Sequence, residues 1–188
     1  MPSPVELYLD HLDRWAETGD ADRRRITPEG VRPPLWTFAY RELFGEGTVT
    51  GFSYGLSSVD HPDWVEGRPE LCVSMDSDRL DWVLAMGAVA AEWRGRSAFG
   101  GGEVFRLGSP ISPDESGMSV FLVFLTTDVD KEAARIELPD RVVNLMQVYP
   151  LYEAELPLLD RIGPVELLSS DEVDFHDPRR PPIGGGGT

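Results

Sequence analysis

Thr50-Gly51-Phe52-Ser53-Tyr54-Gly55-Leu56-Ser57 is the stretch on which the reading of this chain turns. It is rich in Thr, Phe and Tyr, and with Thr48 and Val49 it predicts a strand over residues 48–57. Gly47, Gly51 and Gly55 mark a turn, a bulge and a close backbone approach. An acidic loop over residues 58–69 leads to Glu70-Leu71-Cys72-Val73-Ser74-Met75, whose apolar and polar residues alternate as in a half-buried strand.

Upstream, Ser3, Pro4 and Glu6 spell an N-cap, a first-turn proline and a capping box. Val5, Tyr8, Leu9, Leu12, Trp15 and Ala16 then recur at helical spacing, with Thr18-Gly19-Asp20 as the stop. The charged, proline-punctuated residues 20–34 read as a surface loop. Downstream, residues 78–94 predict the longest helix, with Asp78 as N-cap and Asp81 in its first turn. Its two apolar stripes are Leu80, Val83, Leu84, Ala88, Ala91 and Trp82, Met86, Val89, Trp93, so burial on more than one side is expected. Gly100-Gly101-Gly102 turns into Val104-Phe105-Arg106-Leu107, and residues 118–125 and 142–149 are apolar enough for central strands. A short helical region follows Pro150, kinked at Pro157. The fold class is therefore α/β (α+β): a mixed, largely antiparallel sheet packed against helices. Residues 1–175 form one domain, and the Pro- and Gly-rich residues 176–188 are expected to be disordered.

Composition narrows the function. With 188 residues, a single globular core needs no staple, since a chain of this size buries roughly 70% of its unfolded surface. No run is long or apolar enough for a bilayer span and no secretory signal is visible, while lone Cys72 excludes an intrachain disulfide. A cytoplasmic location is the expectation. The net charge is −16, from 33 acidic and 17 basic side chains, which disfavours nucleic acid and anionic membrane as partners. The same charge either serves solubility or speeds encounter with a basic protein.

These pieces also come in a recognisable order. Phe52-Ser53-Tyr54-Gly55-Leu56-Ser57 is followed by Pro69-Glu70-Leu71, a long helix through Trp82 and Trp93, and the turn Gly108-Ser109-Pro110. Then come Leu125-Thr126-Thr127-Asp128 and Gln147-Val148-Tyr149-Pro150-Leu151-Tyr152-Glu153. In that order and spacing the chain resembles the suppressor of fused family over residues 36–175. The resemblance implies Tyr54, Gly55, Leu56, Ser57, Pro150, Leu151, Tyr152 and Glu153 as structural motif residues. It also implies a protein- or peptide-binding module. Animal members sequester a transcription factor, and bacterial single-domain members look like immunity proteins that neutralise toxins. The second domain of the animal proteins is lacking here, so what is carried over is partner binding.

The family places acidic contacts after the signature strand, which points to Asp60, His61, Asp63, Trp64 and Glu66 as the partner-binding residues. Gly51 stands where the family has a contacting aromatic. Trp64 among carboxylates has the make-up of an interface anchor; the alternative is a solvated acidic loop with Trp64 folded back onto the sheet. Asp60, His61 and Asp63 form too thin a set for a metal, and no metal or other cofactor is expected. Catalysis finds little support. Cys72 sits mid-strand between Leu71 and Val73 as an inert thiol, and Gly100-Gly101-Gly102-Glu103 lacks the cation of a phosphate loop. Glu153 and Glu155 do not make an acid/base pair, and Glu153 is expected to brace the fold by hydrogen bonding. Trp82, Trp93, Tyr149 and Tyr152 read as core aromatics, Tyr54 and Tyr152 with their hydroxyls at a rim. The expected function is a non-enzymatic domain that blocks a basic protein, such as a toxin. A hydrolase or metal-dependent enzyme on the same scaffold, or a scaffold for a kinase or regulator, stands as the alternative.

Overall fold

A computed structural model describes residues 2–16 and 21–184. Helix α1 (Pro4–Leu12) begins with the expected capping box: Ser3 N donates to Glu6 Oε2 at 2.6 Å, and Glu6 N donates to Ser3 Oγ. It ends a turn early, with Asp13 as C-cap, so Trp15 and Ala16 lie beyond it. The stop at Thr18-Gly19-Asp20 lies outside the described residues.

Eight strands then form one sheet: β1 (Asp22–Arg25), β2 (Trp36–Arg41), β3 (Val49–Tyr54), β4 (Arg68–Met75), β5 (Val104–Arg106), β6 (Val120–Leu125), β7 (Arg135–Glu137) and β8 (Val142–Leu151). The order is β1-β2-β3-β4-β8-β6-β5, with β7 pairing β8 alongside. Every pairing is antiparallel except β4 with β8. The mixed, largely antiparallel α/β class expected from the sequence is what the chain adopts.

Helices cover both faces of that sheet. Helix α2 (Asp81–Trp93) lays Trp82, Val83, Met86, Val89 and Ala90 on Val49, Leu71, Val73, Phe121 and Val123. On the other face, Tyr8 and Leu12 of α1 meet Phe38, Phe52, Cys72 and Leu145. Helix α3 (Leu156–Leu168) covers Val120, Leu122, Tyr149 and Leu151. Central strands thus have two apolar faces, as strands buried on both sides require. Gly51 keeps a regular register between Ala39 and Val73, with no bulge. Its missing side chain lets α2 settle, since a Cβ there would stand 2.4 Å from a Val83 methyl.

Several expectations are corrected. Residues 22–25 are an edge strand, not loop, because pairing with β2 supplies the order that their polarity hides. β4 is not half-buried: Pro69 through Met75 are all buried, Glu70 included. Asp78 does not cap α2, which starts at Asp81; Ser77 Oγ accepts from Arg79 N instead. Leu84 and Trp93, both 39% exposed, show that α2 buries one face, so Trp93 is not a core residue. Pro157 occupies the first turn of α3, where its missing amide costs nothing, and the break falls at Gly163 (φ 81°) and Pro164. Among the described residues, no helix is long and apolar enough to cross a membrane.

Of the C-terminal segment expected to be disordered, residues 176–184 are described and residues 185–188 lie outside the described residues. Residues 176–184 follow the body instead of leaving it, anchored by Arg180, which is 4% exposed. Its guanidinium meets the fully buried Glu155 at 2.5 and 2.9 Å. Glu155 also accepts from Ile183 N and Tyr152 N, and Arg180 Nη2 donates to Pro150 O. Glu155, not the exposed Glu153, is therefore the carboxylate that braces the fold; Glu153 only reaches Arg106 at 3.3 Å across the surface. A Pro- and Arg-rich segment looks disordered until it has a buried carboxylate to satisfy. Four residues earlier, His176 Nε2 pairs with Asp128 at 3.0 Å and its backbone carbonyl accepts from Asp76 N.

Arg180→Ala leaves Glu155 buried without its cation, and urea denaturation should show a loss of ~3–5 kcal/mol. The hydrogen bond to Asp128, then the charges of Asp128, Asp174 and Asp76, raise the His176 pKa above its usual 6.5 despite partial burial. Its stabilising contribution is full below that value and fades as pH climbs through the raised one. The stability gap between wild type and His176→Gln should therefore be larger at about pH 6 than at about pH 8, as urea melts at each pH would show.

Candidate functional site

The signature stretch owes its shape to Glu70. This carboxylate, fully buried on β4, accepts five hydrogen bonds from the end of β3 and the turn that follows it. Ser53 Oγ donates at 2.5 Å and Ser57 Oγ at 2.7 Å; Gly55 N, Leu56 N and Ser57 N donate at 2.8, 3.3 and 3.0 Å. Three successive amides converge in this way only if the chain bends sharply. Gly55 allows it with φ 115°, and a Cβ there would stand 2.3 Å from Pro34 O. Leu56 and Ser57 open a single 3-10 turn, both buried. Tyr54 is half-buried, its ring 5.1 Å from Tyr8 and 5.6 Å from the Arg141 guanidinium.

Glu70 also governs what lies outside the turn. Ser57 Oγ, while donating to Glu70, accepts from Arg141 Nε at 2.9 Å, and Arg141 reaches Ser58 Oγ and Asp140. Arg68, two residues before Glu70, donates to Ser57 O and Val59 O and pairs with Asp60 at 2.6 Å. Trp64 Nε1 donates to Ala98 O at 2.8 Å, and the His61 ring lies 5.5 Å from the indole. Arg135 donates to Glu66 O. The acidic loop is thus clamped at several points, which lowers the conformational cost of binding.

The clamping sorts the sequence-predicted residues. Trp64 is half-buried, with its indole bonded to Ala98 O; Asp60 and Asp63 carry exposed carboxylates, and the His61 side chain is mostly covered. What sequence reasoning passed over is Val65. It is 87% exposed and lies on the ridge between two clefts. One, of ≈300 Å³, runs along Trp64, Gly67, Pro69, Phe99, Asn144 and Met146. The other, of ≈240 Å³, is walled by Glu66, Arg68, Asp140, Arg141 and Val142. A lone aliphatic residue in an acidic loop carries no sequence signal; only its exposure marks it.

The remaining candidates take structural positions. Pro150 and Leu151 are buried at the end of β8, and the half-buried Tyr152 donates its hydroxyl to Arg180 O. Cys72 is buried, and desolvation pushes its thiol far above the ordinary value, the opposite of nucleophile activation. At the glycine triplet, Glu103 accepts from Gly100 N and Ser97 Oγ, so a carboxylate fills the turn where a phosphate would sit. Among the described residues, no three His, Cys, Asp or Glu side chains gather as a metal ion would need.

Removing the Glu70 carboxylate strands three amides and two hydroxyls. Glu70→Ala should cost ~3–5 kcal/mol in urea denaturation, with a smaller loss for Glu70→Gln, which keeps one acceptor oxygen. Tryptophan fluorescence should also report release of Trp64 in the alanine variant.

The sequence matches the family model described as "Suppressor of fused protein (SUFU)" over residues 32–181. No curated protein matches it significantly in sequence. Among solved structures, the fold is similar to a SUFU homolog from Neisseria gonorrhoeae (17% identity, TM-score 0.69, 94% of each chain covered). It is similar to a chain of the Sufu–Fu complex at 14% identity and TM-score 0.66, covering 96% of this chain and 92% of that one. Drosophila Suppressor of Fused aligns at 14% identity and TM-score 0.63 over 96% of this chain but 51% of its own, so the present chain spans about half of that protein. The matched region holds the Glu70 turn, the clamped loop and Arg180 together, and the chain belongs to the suppressor of fused family.

Proposed function

We propose that this chain is a non-enzymatic protein-binding domain that acts as an immunity or sequestering protein, blocking a basic protein partner by covering its active face. The observation that carries the reading is the ridge at Val65: an exposed apolar residue between two clefts, on a loop already held in place. Interface anchors are apolar groups rimmed by polar ones on a preorganised frame. Here the rim is Asp60, Asp63 and Glu66, with Trp64 beneath as support. The net charge of −16 favours a basic surface opposite, as a nuclease toxin would present. Family membership supports a binding role, and one similar structure is that of a Sufu–Fu complex, a family protein with its partner.

The test is capture from the native host at low salt, with an Asp63→Lys/Val65→Lys variant as control. A stoichiometric basic protein, absent from the variant, is the expected result. With that protein purified, its association rate should fall by about tenfold or more as salt rises to 0.5 M. A rate indifferent to salt would sink the electrostatic part, and capture unaffected by the variant would move the surface elsewhere.

A further inference from the structure

His176 sits among carboxylates. Its Nε2 lies 3.0 Å from Asp128 and its Nδ1 3.6 Å from Asp174, while Asp76, whose amide donates to His176 O, adds a third negative charge just past β4. On β8 the neighbours are uncharged. Gln147 Nε2 stands 3.4 Å from the ring, and Tyr149, bonded to Gln147, is kept protonated by burial with a pKa pushed up to about 12. Only an imidazolium can donate to both Asp128 and Asp174. A neutral ring has one N–H and turns a bare lone pair on one of the two carboxylates.

The two sides of this pair are held unequally. His176 N donates to Asp174 at 2.9 Å, and four residues on, Arg180 is pinned to Glu155. On the other side, among the described residues, no main-chain hydrogen bond ties Asp128, Val129 or Asp130 to the sheet. Thr127 reaches Gln147 and Tyr149 only at 3.3 and 3.4 Å. The chain is fixed again further on, where His11 Nε2 meets Ala133 O at 2.9 Å and Leu145 N donates to Ala134 O at 2.8 Å. Asp128, with its side chain 11% exposed, therefore makes the shortest bond from residues 126–130 to the body.

Beneath this short piece runs a narrow crevice. Trp15, Phe44, Phe52, Cys72 and Leu145 wall it on the side of the body, together with Thr50. Thr126, Asp128 and Val129 line it on the side of the loop. The proton on His176 thus decides whether the cover of the crevice keeps its best tie.

We propose that residues 126–130 are a lid on this crevice and that protonated His176 is its latch: loss of the ring proton to solvent releases Asp128 and opens the lid while the rest of the fold stays closed. The hydrogen bond to Asp128, followed by the charges of Asp128, Asp174 and Asp76, holds the ring proton above the usual 6.5 despite partial burial. The latch is complete below that usual value and is lost as pH climbs through the raised one. Gln147 Nε2 supplies a donor to the ring nitrogen once its proton has gone, which favours the released state. Opening is local because β4, β8 and the Arg180–Glu155 pin keep their partners.

The single cysteine makes the lid measurable, since Cys72 is 4% exposed when it is shut. Labelling of the full chain by 4,4′-dithiodipyridine is followed at about pH 6 and about pH 9, on either side of the histidine transition. Each rate is divided by that of the urea-unfolded chain at the same pH, so that thiol ionisation cancels. The normalised wild-type rate should rise about fivefold or more between the two. In His176→Gln, which has no proton to lose, it should be raised at both and change by less than about twofold. Asp128→Asn, which removes the latched carboxylate, should behave in the same way and serves if the first variant does not fold. Urea below the unfolding transition separates the routes: labelling through the lid barely responds, while labelling through global unfolding climbs with the full denaturant slope. A wild-type rate flat with pH, or one that rises equally in the variants, overturns the latch. Labelling that follows the full urea slope at both pH values overturns the lid.

Discussion

A single carboxylate, Glu70, sets the terms for much of this structure. A charge at zero exposure is tolerable only with its hydrogen bonds made, and here all the protein donors come from one five-residue stretch, Ser53 to Ser57. The requirement works in both directions. Glu70 is held in β4 by the sheet, and the turn must bend until its amides point at that fixed spot. Ser57 then passes the constraint to Arg141 at the head of β8, and Arg68 passes it to Asp60. The residue before β8 and the acidic loop are both linked, through arginines that bond to Ser57, to one buried group.

Much of the frame was legible in the sequence for local reasons. The capping box of α1, the apolar strands β6 and β8, and the Trp82, Met86 and Val89 stripe of α2 rest on residues close together in the chain. What was not legible depends on partners far along it. The strand Asp-Arg-Arg-Arg has no apolar face and exists because β2 lies beside it. Glu70 looked like the polar half of an alternating strand, and Glu153 looked more important than Glu155. The residues that reverse both readings are Ser53, Gly55 and Ser57 in one case and Arg180 in the other. The order of motifs led to the acidic loop, but which of its residues face outward was decided by the Trp64 bond to Ala98.

Charge is distributed with the same economy. Most arginines are committed to named acceptors: Arg68 to the loop, Arg94 to Pro33 O, Arg141 to Ser57 and Asp140, Arg180 to Glu155. The acidic excess is left to solvent. The acidic surface follows from 33 acidic side chains against 17 basic ones, several of the latter held by the frame.

The pairing of Arg180 with Glu155 orders events during synthesis. Glu155 leaves the ribosome some twenty-five residues before Arg180, and in that interval α3 can form but its carboxylate has no cation. The third apolar cluster, with Phe175 beneath the arginine at 5.1 Å, closes only when the last described stretch has arrived. A nascent chain that has not yet reached Arg180 is therefore left with an open flank beside α3 and an unpaired buried carboxylate.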